Sequence, residues 1–200
     1  MWSKSETAVF RKLRKPETIQ RYLDEEIAYN LEPEGPCCFS PRLVLKHGRA
    51  HCMEGALLAA SALRQLGHPP LLMDLQAVRD DDHVLAIFRE HGHWGAIAKS
   101  NYSGLRYREP VYRTLRELAM SYFEHYFNLK GEKGLRGFAG PARLSRFDRQ
   151  GWETTEDHPW YIPEYLVTIR HFPLLTPPMR VRRYQADGRL FRAGRLGAAY

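Results

Sequence analysis

Apolar positions are densest between Gly48 and Pro70, in GRAHCMEGALLAASALRQLGHPP. Ala56, Leu57, Leu58, Ala59, Ala60, Ala62, Leu63 and Leu66 leave almost no polar face between them, and a helix that is apolar nearly all round is a buried one. Gly67 stands at a natural C′ position and Pro69-Pro70 cannot continue a helix, so its end is well marked. Cys52 falls at or just before its first turn. Residues 16–30 predict an earlier, amphipathic helix: Ile19, Leu23 and Ile27 recur every four residues, with Pro16 at N1 and acids in the early turns. LEPEGPCCFSP then breaks regular structure, and Leu43, Val44 and Leu45 form a short apolar run leading into the Cys52 helix.

Beyond Pro70 the period changes. Residues 71–78, 83–90 and 94–101 read as strands of an antiparallel meander, joined by the polar turn RDDD and by His91-Gly92-His93. They do not alternate cleanly, as expected of a sheet covered on both faces. Residues 114–128 predict a supporting helix. Thr114 and Glu117 have capping-box spacing, and Leu115, Leu118, Ala119, Tyr122, Phe123, Tyr126 and Phe127 form a core stripe. Residues 130–158 are weakly patterned, with GEKGLRGFAGPA a loop; Pro163 interrupts a short element; Asp187-Gly188 between two short runs signals a hairpin. The fold class is α+β, with one main domain over 1–150 and a C-terminal extension, 151–200, packed on it.

Composition narrows the function classes. A chain of 200 residues, 44% hydrophobic and 12% aromatic, is an ordinary soluble globular protein with room for a core. No run approaches the roughly 18 apolar residues of a membrane helix, so no membrane partner is expected. The charged start MWSKSETAVFRKLRK lacks the apolar stretch of a secretory signal. Three cysteines, two of them adjacent at Cys37-Cys38, argue against a disulfide framework and for the cytoplasm. The net charge of +7 is interleaved with acids except in the tail, where Arg180, Arg182, Arg183, Arg189, Arg192 and Arg195 face Asp187 alone. With no recognisable nucleic-acid motif, a solvated basic tail is the preferred reading over a nucleic-acid partner.

Candidate chemistry centres on Cys52. The free N–H groups and dipole of a helix start favour a thiolate. A cysteine nucleophile needs a histidine and usually a third group that orients it. A three-residue turn at His91–His93 pairs Glu90 with Trp94 and puts His83 opposite Asn101, on the same face. A two-residue turn brings Ser100 opposite instead. The backbone N–H of Cys52 is an oxyanion donor, with a second from the segment before the helix.

Gly48-x-x-x-Cys52, followed by Ala56, Leu57, Ala60, Leu63-Arg64 and Gly67-x-Pro69, resembles the nucleophile helix of the transglutaminase-like superfamily. The resemblance covers residues 40–105. It implies a papain-like fold with the Cys helix packed on an antiparallel sheet, Cys52 as nucleophile and His83 as base. The family's aspartate is missing, and Ser100-Asn101 stand there, a Cys-His-Asn arrangement as in papain-like enzymes. The implied function is acyl transfer from amide or ester bonds through a thioester, ending in hydrolysis or in transfer to an amine. The implied partner is a peptide, protein or small amide, with Trp94, Tyr102 and Arg106 as candidate substrate contacts. The competing readings are a catalytically silent scaffold on the same fold and a metal site at His47, His51 and Cys52. Against a metal, His91 and His93 belong to a turn and neither CxxC nor HExxH occurs, so no cofactor is expected.

Overall fold

A 14-residue helix and a six-stranded antiparallel sheet organise the chain. The computed structural model describes residues 1–199. In order, the elements are α1 (Lys4–Phe10), α2 (Pro16–Glu25), β1 (Ala28–Tyr29), α3 (Pro41–His47), β2 (Arg49–Ala50), α4 (Cys52–Gln65), β3 (Leu71–Ala77), β4 (His83–Glu90) and β5 (His93–Ile97). They continue with β6 (Arg108–Tyr112), α5 (Leu115–Met120), β7 (Leu135–Arg143), α6 (Tyr161–Thr168), β8 (His171–Pro173), α7 (Pro177–Val181) and α8 (Gly188–Gly194). The large sheet runs β6-β5-β4-β3-β7-β8, and β1 and β2 form a short parallel pair of their own. This is a mixed, α+β architecture.

Both faces of the sheet are covered, which is why its strands do not alternate. Leu72, Val84, Ala86, Phe88 and Ile97 pack with Leu57, Leu58 and Leu63 of α4. Met73, Leu75, Leu85, Ile87 and Ala96 pack with Leu118, Tyr122 and Tyr126 on the other face. Helix α4 is buried from Met53 to Leu63 and ends as its sequence reads, with the His68 N–H on the Leu63 carbonyl at 3.0 Å. Trp152, Ile162 and Leu166 join the α4 core, so the segment after residue 150 completes it.

Several elements differ from the sequence expectation, each for a local reason. The helix expected over 16–30 is α2 and stops at Glu25, where Lys99 Nζ donates to the Leu23 and Ile27 carbonyls and caps its C-terminal end. Leu43–Leu45 belong to a helix, α3, capped by the Ser40 hydroxyl on the Leu43 N–H at 3.2 Å. The 114–128 helix stops at Met120. Ser121 Oγ donates to the Leu118 carbonyl at 2.7 Å, and Arg108 takes the Ser121 carbonyl at 3.2 Å, leaving a single 3-10 turn after it. Residues 135–143, read as loop, form β7, with Leu135, Phe138, Ala139 and Ala142 buried between β3 and β8. Asp187-Gly188 starts α8 rather than a hairpin, because the Asp187 carboxylate accepts the Arg189 and Leu190 N–H groups at 2.9 and 3.1 Å.

The β4–β5 turn has two residues, His91 and Gly92, both at positive φ (47° and 81°). Its register pairs Glu90 with His93 and ends at Ala86 with Ile97. Beyond that point the Gln20 side chain takes over: its Oε1 accepts the Ala98 N–H and its Nε2 donates to the Ala98 carbonyl, both at 3.0 Å. Residues 98–101 are thereby led away from β4, and Lys99 and Ser100 line a cavity together with Cys52 and His83.

Gly55 sets how closely α4 approaches this segment. A Cβ built there would lie 2.4 Å from Lys99 Cβ. Exchanging a mid-helix glycine for alanine ordinarily stabilises by roughly 0.5–1 kcal/mol. Here the sign should reverse: Gly55→Ala is expected to destabilise by about 1–3 kcal/mol through overpacking, measured as a lower denaturant midpoint.

Candidate functional site

Helix α4 begins at Cys52 because the residues around it supply a complete cap. His51 Nδ1 accepts the Met53 N–H at 3.2 Å, and Glu54 Oε2 accepts the His51 N–H at 2.9 Å. This is a capping box with histidine in place of the usual serine or threonine. Glu54 is fully buried, and each carboxylate oxygen serves two donors. Oε2 also accepts from Asn30 Nδ2 at 3.1 Å, while Oε1 accepts from the Cys37 thiol at 3.0 Å and the Phe39 N–H at 2.9 Å. One carboxylate therefore ties the β1 end, the 37–39 segment and the helix start together.

Cys52 is half-buried at that helix start, with its thiol 3.9 Å from the Asp82 carbonyl. The His51 and His83 rings both act on the same sulfur. His83 Nε2 is 2.8 Å from the Leu105 carbonyl. A carbonyl only accepts, so Nε2 carries a proton and Nδ1 is the acceptor nitrogen of the neutral ring. Burial alone would push the thiol up, but the His51 and His83 rings outweigh it and bring it down to about 5. Cys37 moves the other way, pushed up to about 12 by burial and by Glu54.

His51 faces two exclusive demands. Burial disfavours its charged form, yet the Cys52 thiolate, Glu54 and Glu32 draw it upward to about 9. A proton on Nδ1 would break the Met53 cap. With Nδ1 accepting the cap, Nε2–H faces the Cys37 carbonyl at 3.3 Å and Glu32 at 3.4 Å.

These groups line a cavity of about 490 Å³. One wall is Tyr29, Glu32 and His51; another is the Asp80-Asp81-Asp82 loop; Lys99, Ser100, Tyr102 and Leu105 close the third side. The acidic loop is held in place by Asp82 Oδ1, which accepts the Ala77 N–H at 2.7 Å, and by Tyr126, whose hydroxyl donates to the Asp81 carbonyl at 2.6 Å. Burial pushes Asp80 up to about 6. Among the described residues no three His, Cys, Asp or Glu side chains are arranged to hold a metal ion, and no helix is long and apolar enough to cross a membrane.

No protein-family model and no curated protein matches the chain.

The structure brings Cys52, His83, Ser100 and Tyr102 to one cavity and places the other sequence candidates elsewhere. Asn101 is not the partner of His83. Its amide grips the Ala199 backbone, donating to the carbonyl at 2.7 Å and accepting the N–H at 2.6 Å. Ser100 Oγ accepts the Tyr102 N–H at 3.0 Å, so it too is engaged away from the ring. Trp94 lies near the other end of β4, in a small cleft with His68, Phe88 and Arg143. Arg106 supports the cavity from behind, donating to the Ser100 carbonyl at 3.2 Å and approaching Asp24 at 3.6 Å. Glu54 was traceable in the sequence, three residues after the His51 cap; the Leu105 carbonyl was not, because a backbone acceptor leaves no mark on residue type.

Proposed function

We propose that the protein is a cysteine-dependent acyl-transfer enzyme acting on amide or ester bonds. The observation that carries this reading is one arrangement: a thiol at a helix start, sharing an open cavity with His83, whose Nε2 is occupied by the Leu105 carbonyl, and lowered by the His51 and His83 rings. The thiolate of Cys52 attacks the carbonyl carbon and the π electrons move to oxygen. The Cys52 N–H, at the helix start and without a partner among the described residues, faces the developing charge. Collapse of the intermediate expels the leaving group, which takes its proton from His83, and leaves a thioester. Water, deprotonated by His83, or an amine then releases the acyl group. Under this reading the papain-like, transglutaminase-like architecture suggested by the Cys52 helix is the natural frame. The third member of the triad is the Leu105 carbonyl, which orients the ring but adds no charge.

The alternative is a silent relative that keeps the thiol and binds without turnover; the neutral third group favours it. The two separate with p-nitrophenyl acetate. An active centre releases nitrophenolate in a burst of about one per chain, followed by slower turnover, and Cys52→Ala abolishes both. A burst with no turnover in water or in added primary amine supports the silent reading. The identity of the product, acid or amide, tells hydrolase from transferase.

A further inference from the structure

Three tyrosines surround the cavity, and their hydroxyls are not equivalent. Tyr126 donates to the Asp81 carbonyl. Tyr102 packs edge-on against Phe127, at 5.6 Å between ring centroids, and is not without a partner. Tyr29 alone of the three has no hydrogen-bond partner among the described residues, although its backbone is firmly placed. It pairs with Ala50 in the β1–β2 ladder, and the next residue donates its N–H to the Ala50 carbonyl at 3.0 Å. Ala50 is two residues before Cys52. The ladder therefore sets Tyr29 beside the start of α4, in the same cavity as the sulfur.

Resting on the acyl-transfer reading, we infer that the Tyr29 hydroxyl is the second oxyanion donor, acting with the Cys52 N–H. A carbonyl carbon attacked by Cys52 sends its oxygen toward donors at the helix start, and the cavity offers few. Asp80, Asp81, Asp82 and Glu32 are acceptors when ionised, His51 Nε2–H is turned to Cys37 and Glu32, and Lys99 Nζ is spent on the Leu23 and Ile27 carbonyls. A phenol fits the need because burial, Cys52, Asp81 and Glu32 all disfavour its ionised form, so it stays a donor across the working range. The acid-lined cavity would also repel a free oxyanion unless a donor met it. When the thiolate adds, the phenol O–H shortens its bond to the new oxyanion without giving up its proton; when the leaving group departs, the oxygen returns to a carbonyl.

The test separates thiol ionisation from oxyanion stabilisation. Alkylation of Cys52 by iodoacetamide passes through no oxyanion, whereas acylation by p-nitrophenyl acetate does. Tyr29→Phe keeps the ring and loses only the hydroxyl. The inference expects its acylation rate to fall roughly 100-fold, the range for one lost oxyanion donor, with the alkylation rate unchanged within about twofold. Unchanged alkylation also reports an intact helix start. Acylation of Tyr29→Phe at the wild-type rate overturns the role of Tyr29 while leaving the acyl-transfer reading standing. Equal losses in both reactions overturn it too, since they mark a general disturbance of the thiol. A wild-type chain that alkylates rapidly but is never acylated overturns the acyl-transfer reading itself, and the Tyr29 role with it.

Discussion

Iodoacetamide at pH 6.5 is expected to modify Cys52 within minutes while Cys37 and Cys38 stay unmodified in the folded protein. The sign follows from the thiolate being the reactive form. Cys52, brought down to about 5, is largely ionised at that pH, whereas Cys37, pushed up to about 12, is almost entirely thiol. Cys38 is buried at 1% exposure and is pushed up further. The rate at Cys52 should rise with pH through a midpoint near 5 and then level off, where an ordinary cysteine would still be climbing toward about 8.5. His83→Ala should move that midpoint up by about one to three units, the range for losing a nearby favourable charge. The pH profile is read by mass spectrometry of quenched samples, and a common slow rate at all three cysteines would remove the activated thiol.

The second large effect is on stability. Glu54→Ala is expected to cost about 3–5 kcal/mol, because it strips one buried acceptor from Asn30, Cys37, Phe39 and His51 together. Glu54→Gln keeps the shape but turns an NH₂ toward two of those donors, so it should recover only part of the loss. Urea unfolding of the three proteins gives the comparison. A Glu54→Ala variant within about 1 kcal/mol of the wild type would mean that the helix start does not depend on this carboxylate. Because the same residue holds the His51 cap, loss of stability and loss of Cys52 reactivity should travel together.

Helix α4 was legible in the sequence because burial on all sides leaves an unbroken apolar pattern, and its end because glycine and paired prolines have few other uses. Strands β3 and β4 were legible for the same reason. What misled was register. A turn of His91 and Gly92 alone shifts every pair by one, and the ladder stops at Ile97 because Gln20, about 80 residues earlier, captures the Ala98 backbone. No local pattern announces a side chain replacing a strand. Asn101 looked like an orienting amide and instead holds the Ala199 segment, a long-range contact invisible to spacing. β7 was hidden by its glycines, which lower strand propensity but are tolerated where neighbouring backbones and side chains approach closely.

The position of the acyl group tests the central claim most directly. After brief exposure of the wild-type chain to p-nitrophenyl acetate and acid quenching, peptide mapping is expected to find one acetyl group, on Cys52, as a thioester that neutral hydroxylamine removes. In Cys52→Ala the acetyl group should be gone, and in His83→Ala it should accumulate at least tenfold more slowly. An acetyl group on another residue, or none on Cys52 while that thiol still alkylates readily, would contradict the account.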